Sequence, residues 1–247
     1  MEGLGVENIS MRDRIKALAT DLLIRYGYRG VSFGDLAEPL GITRANIHHH
    51  FGNKLALVEE VLDDYVRVTS MRFREIWTAP SASFFQKIEE TVAYNRERYL
   101  KFNSGGDGGQ PWSLIGRMRQ DSDALSERGR ALLKTFGIEL YGYVVSAVET
   151  AKERGELVAS APVDDIALQI VAIINSAGPI TQDAGGFERL EELYLAFGRI
   201  IRHAYGHGGV ALPSHQAARP CMQPESAPCP DEPVPGNRAG GSGGSPQ

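Results

Sequence analysis

The stretch Ser32-Phe-Gly-Asp-Leu-Ala-Glu-Pro-Leu-Gly-Ile-Thr-Arg-Ala-Asn-Ile-His-His-His-Phe51 decides how the rest of the chain is read. Ser32 followed three residues on by Asp35 is a capping-box arrangement, which starts a helix through Leu36, Ala37 and Leu40. Gly41-Ile42 predicts a tight turn, and Thr43 is placed to cap a third helix that ends at His50 or Phe51. Upstream, Ile15, Leu18, Ala19, Leu22 and Leu23 recur at helical spacing until Gly27 stops them, with Tyr28 tucked behind. Two short helices joined by a glycine turn suggest a helix-turn-helix, in which the second of the pair enters a DNA major groove.

Charge placement agrees. The chain of 247 residues carries a net charge of -5, which rules out wholesale polyanion binding. Between Pro39 and Val58, however, there is no acidic residue, while Arg44, Lys54 and three histidines fall inside. At about 100° per residue Arg44 and His48 share a face of the third helix, Ala45 and His49 lie beside it, and Ile47 points opposite, into a three-helix core. Arg44 can fork onto guanine or phosphate, Asn46 can pair with adenine, and Ala45 offers a small contact for a thymine methyl. Thr43 and His50 join this candidate DNA-contacting set. Ser32 is placed to present its hydroxyl and the helix amides to a phosphate. Adjacent histidines diverge around a helix, so His48-His49-His50 lacks the spacing of a metal site.

Gly27-Tyr28, Val31-Ser32, Asp35-Leu36-Ala37, Leu40-Gly41-Ile42-Thr43, Ala45 through Phe51 and Lys54-Leu55-Ala56-Leu57 closely resemble the N-terminal domain of TetR/AcrR-type transcriptional regulators, over about Met11 to Tyr65. The resemblance implies that the third helix is the recognition helix, with positions 44, 45, 46, 48 and 50 and Lys54 beyond it as the usual DNA contacts. It implies a larger helical domain that dimerises and binds a small-molecule effector, whose arrival usually releases a double-stranded operator. Ala151-Lys-Glu-Arg-Gly-Glu-Leu157, followed by Asp164-Asp165 and an apolar helix ending at Gly178, also looks like the second half of such regulators. The chain departs from the pattern at His48, where relatives usually carry tyrosine. It departs again at Pro39, predicted to shorten the second helix, and at Phe33-Gly34, where relatives often carry polar or basic contacts. Few contacts are therefore expected from the second helix, and the alternative reading is a helical ligand-binding or interaction protein whose head no longer binds DNA.

Beyond this head the periodicity predicts an all-α body. Leu132, Leu133, Phe136, Leu140, Tyr143, Val144 and Val148 form one stripe, closed by Gly155. Leu190, Leu193, Tyr194, Phe197, Ile200, Ile201 and Ala204 form another in the last helix. Between them a helix over about Val163 to Ala177 is apolar on nearly all sides, so Ile170, Ile173 and Ile174, with Leu190, Leu193, Tyr194, Phe197 and Ile201, are assigned to a homodimer interface. Tyr94, Phe102, Trp112, Phe136, Tyr141 and the isolated amide Asn175 are the candidate lining of a ligand pocket. The glycine-rich segment Phe102 to Pro111 reads as a loop; with no strand before it and no Gly-Lys-Ser/Thr after it, it is no phosphate loop.

Residues 206 to 247 hold 8 of the 13 prolines and read as a disordered tail containing His215 and both cysteines, Cys221 and Cys229, which excludes a disulfide framework. The expected division is 10–55 for the DNA-binding head, 56–205 for the effector-binding and dimerising domain, and the tail. The longest charge-free run, Ile166 to Gln182, is 17 residues and falls short of a membrane span, and Met1 to Ser10 carries no secretory signal, so a cytoplasmic protein is expected. No nucleophile-base set or spaced carboxylate pair points to an enzyme, and no cofactor is implied.

Overall fold

The computed structural model describes residues 10–105 and 108–207. They form nine α-helices with one short 3-10 turn: α1 (Met11–Tyr26), α2 (Phe33–Leu40), α3 (Arg44–Phe51), α4 (Lys54–Thr78), α5 (Phe84–Asn103), α6 (Leu114–Gln120), α7 (Glu127–Glu153), α8 (Val163–Ala184) and α9 (Glu188–Tyr205). The sole strand-like feature among the described residues is an isolated bridge between Leu157 and Gly206, which ties the α7–α8 turn to the end of α9. Gly206, the first residue of the segment read as tail, is thus tied to Leu157, while His215, Cys221 and Cys229 lie outside the described residues.

The head folds as its sequence directs. Ser10, Ser32 and Thr43 each accept a backbone N–H from the first turn of the helix they start, at Asp13, Gly34 with Asp35, and Asn46. Gly41 takes the left-handed conformation (φ 65°) that lets α2 turn into α3. Pro39 does not shorten α2, which runs on to Leu40, although the proline lacks the N–H that would have met the Asp35 carbonyl. Ile15, Ala19, Leu23, Leu36, Ile47 and Phe51 meet in a small buried core, to which α3 contributes Ile47 and Phe51.

The helix α4 begins beneath α3 and continues without a break into the body, where it packs chiefly against α7. In the body α7 packs on α8, and α8 on α9. By length and composition α7 and α8 could each cross a bilayer, contrary to the expectation from the charge-free run, but their buried stripes face α4, one another and α9. The helix α8 does not end near Gly178. It passes through Pro179 to Ala184, and its last turns are pinned where Thr181 Oγ1 donates toward the carbonyls of Ala177 and Gly178 and accepts from Trp112 Nε1 at 2.8 Å. Phe102 and Asn103, read as loop, close α5 instead.

Head and body meet at α6. Gly27 adopts φ 73°, ψ -178°, and a Cβ there would stand 2.4 Å from Asp121 Oδ2 and 2.7 Å from Arg117 Nε, so the close approach requires glycine. Asp121 accepts the Tyr28 N–H at 2.8 Å, and Arg29 pairs with Asp123 at 2.5 Å. The same end of α1 is linked to α5 by Lys101–Asp21 at 3.1 Å.

Candidate nucleic-acid interface and body cavity

Burying Ile47 and Phe51 turns the opposite side of α3 outward, so Arg44, Ala45, Asn46, His48 and His49 are exposed and His50 is half-buried. The first turn of α3 contains no acidic residue, which leaves the positive end of its dipole uncompensated by its own sequence. Residues of α2 that were expected to contribute little here act as supports. The ring of Phe33 meets His48 edge-on at 4.7 Å between centroids. Gly34 offers a bare backbone under the Arg44 guanidinium, whose Nη2 would lie 2.8 Å from any Cβ at that position. His48 Nδ1 lies 2.8 Å from the carbonyl oxygen of Gly52, and since a carbonyl only accepts, Nδ1 carries the hydrogen and Nε2 faces away.

Ser32 departs from expectation. Its hydroxyl donates to Asp35 Oδ2 at 2.7 Å, and the same oxygen takes the Ser32 N–H. The Asp35 carboxyl is held below the usual carboxylate range by the Ser32 hydroxyl first, then by that amide, with nearby Arg44 adding to it. A carboxylate therefore already occupies the N-terminus of α2, and an approaching phosphate meets like charge there. The start of α3 at Thr43 carries no such group. Lys54 begins α4 half-buried, its Nζ 4.4 Å over the ring of Tyr28, and burial lowers the pKa of its ammonium. His50 presents its backbone carbonyl to Arg12, which also pairs with Glu60 at 2.5 Å and lies over Phe51.

In the body the candidate pocket residues separate. Trp112, Phe136 and Asn175 line one cavity of about 30 Å³ between α4, α5, α6, α7 and α8, with Thr69, Asn95 and Arg98. Tyr94 and Phe102, with Trp112 again, line a wider cleft of about 200 Å³ that reaches Thr20 and Ile24 of α1. Tyr141 lines neither; its hydroxyl donates to Asp164 Oδ1 at 2.8 Å across α7 and α8. The sequence reading missed both arginines of the first cavity, Arg98 and Arg119, because a charged residue on a long helix reads as solvated surface. Asn175, singled out as an amide in need of a partner, accepts from Arg119 Nη1 at 2.6 Å.

The assigned interface residues also separate. Ile170, Ile173, Leu190, Tyr194 and Ile201 are buried within the single chain, because α8 and α9 turn those stripes toward their own neighbours. Ile174 and Phe197 are half-buried. What remains outward is Leu168 (58% exposed) on α8 and Leu193 (40%) and Ile200 (62%) on α9.

Residues 15–61 match the profile of the bacterial regulatory proteins of the tetR family. The HTH-type transcriptional repressor KstR2 of Mycolicibacterium smegmatis is 33% identical over 67 residues, covering 27% of this chain and 33% of the repressor, so the chain's likeness spans about a third of that relative. A TetR transcriptional regulator from Legionella pneumophila shares the fold at a TM-score of 0.65, with 22% identity over 78% of this chain and 99% of the other. A regulator from Saccharomonospora viridis, solved in complex with choline, gives 0.63, with 21% identity over 79% and 97%. The matched head, the acid-free third helix and the fold shared along nearly the whole length of those regulators make this chain similar to TetR-type helix-turn-helix transcriptional regulators.

Proposed function

We propose that the chain is a repressor that binds a palindromic operator as a two-fold dimer and releases it when a small molecule enters the body. The observation that carries this reading is the exposed face of α3, where Arg44, Ala45, Asn46, His48 and His49 stand together with no acid in the first turn. Arg44 and Asn46 supply bidentate base contacts, the Thr43 end of α3 takes a phosphate, and Lys54 takes another once it leaves the Tyr28 ring. One head reads a half-site, so two are needed, and the exposed Leu168, Leu193 and Ile200 supply an apolar face for a four-helix contact between copies of α8 and α9. The curated relative is a repressor, which favours repression.

Geometry also suggests how a ligand is felt by the head. Ile115, Gly116 and Arg119 of α6 line the first cavity, while Asp121, which caps the end of that seven-residue helix, and Asp123 in the 3-10 turn after it hold Tyr28 and Arg29. A ligand that displaces α6 therefore moves the end of α1. Choline, found in complex with the Saccharomonospora viridis regulator, is a cation, whereas the charged side chains of this cavity are two arginines, which favours an effector of a different charge here.

Binding assays with duplexes covering the DNA on either side of the protein's own gene test the proposal. The expected result is one palindromic site bound more tightly than random duplex, with affinity falling steeply in salt. The reading fails if all duplexes bind alike. In that case the second reading, a ligand-binding protein with an inert head, gains; the Asp35 carboxylate closing the start of α2 is the observation that favours it.

A further inference from the structure

Arg98 and Arg119 line one cavity, and among the described residues neither has a carboxylate within ion-pair distance. Arg98 reaches from α5 toward Tyr65 Oη, to which Nη2 donates at 2.6 Å, and its guanidinium carbon lies 5.1 Å from the ring centre of Tyr94 and 5.2 Å from that of Trp112. Arg119 donates to the Asn175 amide oxygen and lies 5.9 Å from the ring centre of Phe136. Burial pushes the Arg119 guanidinium below its ordinary value. Hydroxyls, an amide oxygen and ring faces satisfy hydrogen bonds but bring no full negative charge. At the surface the pattern is reversed, since Arg12, Arg29, Arg96 and Arg128 all meet carboxylates in places where water would have sufficed.

A desolvated cation without a counter-charge is costly to fold around, and two facing one cavity are costlier still. Such an arrangement is worth keeping where an anion arrives to complete it. The cavity also contains the buried polar side chains Thr69 and Asn95. On the far side of Arg98 and Trp112, both of which line it too, the wider cleft offers about 200 Å³ between Ile24, Tyr65, Val68, Tyr94 and Phe102. Lys101 also lines that cleft, but its ammonium is paired with Asp21 at 3.1 Å, so the cations without a carboxylate stand at the Arg98–Arg119 end and the rest of the cleft is mostly apolar.

We propose that the effector is an organic anion whose carboxylate sits between Arg98 and Arg119 and whose short aryl or alkyl tail fills the cleft beside α1. This rests on the reading of the body as an effector domain. The tail lies against Thr20 and Ile24, so the same molecule touches α1 directly as well as through α6.

Calorimetric titration of the full chain with phenylacetate, phenylacetamide and phenethylammonium, which differ mainly in charge, tests the assignment. Phenylacetate is expected to bind at least about tenfold more tightly than the amide, and the amine least. Arg98→Met and Arg119→Met should each erase that preference, Arg98→Lys should retain part of it, and the two methionine variants should melt no lower than the parent because each removes a buried charge. The proposal is overturned if the amide or the amine binds as well as the carboxylate, or if the carboxylate does not bind at ~10 mM. It is overturned too if the methionine variants lose stability yet keep the preference. Operator binding is followed separately: a bound carboxylate that leaves DNA affinity unchanged keeps the anion site and removes the regulatory role of the body.

Discussion

Arg44 and Arg98 are both arginines without a carboxylate within ion-pair distance among the described residues, and the protein keeps them in opposite surroundings. Arg44 lies in water on the outer face of α3, where an unpaired charge costs nothing and is available to any polyanion that approaches. Arg98 is boxed by Tyr65, Tyr94 and Trp112, where its charge is expensive and is reached only through a small cleft. In the proposed reading the same side chain serves two different anions, selected by how much water is left around it. The head discriminates through a rigid exposed array, and the body through a desolvated site that rewards a match in charge and size.

The largest expected effect comes from the junction that keeps these regions in one unit. Gly27→Ala forces a side chain into a backbone conformation almost reserved for glycine and into Asp121 and Arg117, so thermal unfolding should show a loss of about 3 kcal/mol. A variant that melts like the parent would mean that head and body are joined only loosely. Arg44→Ala should leave the melting temperature within about 1–2 °C while weakening operator binding by about 10- to 100-fold in a fluorescence titration. If it destabilises the fold instead, Arg44 is part of the packing of the head and not a free charge on its surface.

His48 sharpens the account of the head with a smaller effect. With Nδ1–H committed to Gly52, its outward Nε2 is left to accept a hydrogen bond from a base amino group, so removing the ring should weaken operator binding by less than about tenfold. His48→Gln, which keeps an acceptor, should retain part of the affinity that His48→Leu loses in a fluorescence titration at fixed salt; if both variants bind like the parent, His48 makes no contact to the operator. The smallest effect concerns Asp35. Its carboxyl loses its proton more readily in the folded chain than its ordinary value of 3.8 implies, so it stabilises the fold at neutral pH and that contribution fades as pH falls from about 3.8 through the lower folded value. Acid titrations followed by circular dichroism should therefore show the stability gap between the parent and Asp35→Asn closing below that pH; a constant gap would mean the carboxylate adds nothing beyond its shape.

The head was legible because its signals are local. A hydroxyl with an acid three residues on, a glycine at each stop and Ile47 facing away from Arg44 are settled within a turn or two of the backbone, and each appears in the structure as read. The body was legible as helices but not as a site. Spacing finds the stripes of α7 and α9, yet it cannot say whether a stripe is covered by its own chain or by another copy, and Ile170, Leu190 and Tyr194 proved to be covered by their own. Arg98 and Arg119 gave no signal, because their significance lies in the carboxylates that are missing around them, which is a property of three dimensions. Ser32 was misjudged for a related reason: the acid that identified it as a cap also consumes its hydroxyl.

The uninterrupted α4 has one more consequence. Its 25 residues make a rod about 37 Å long with its first turn under the recognition helix and its last among the buried aromatics of the body. Such a rod magnifies angle into distance, so a tilt of about 5° at one end carries the other through roughly 3 Å, close to the rise of one base pair along the duplex. Two heads in a symmetric pair would diverge by twice that. Losing register on DNA then requires no unfolding of the head and no large rearrangement of the body, only a change of pitch too slight to disturb any single contact along the helix.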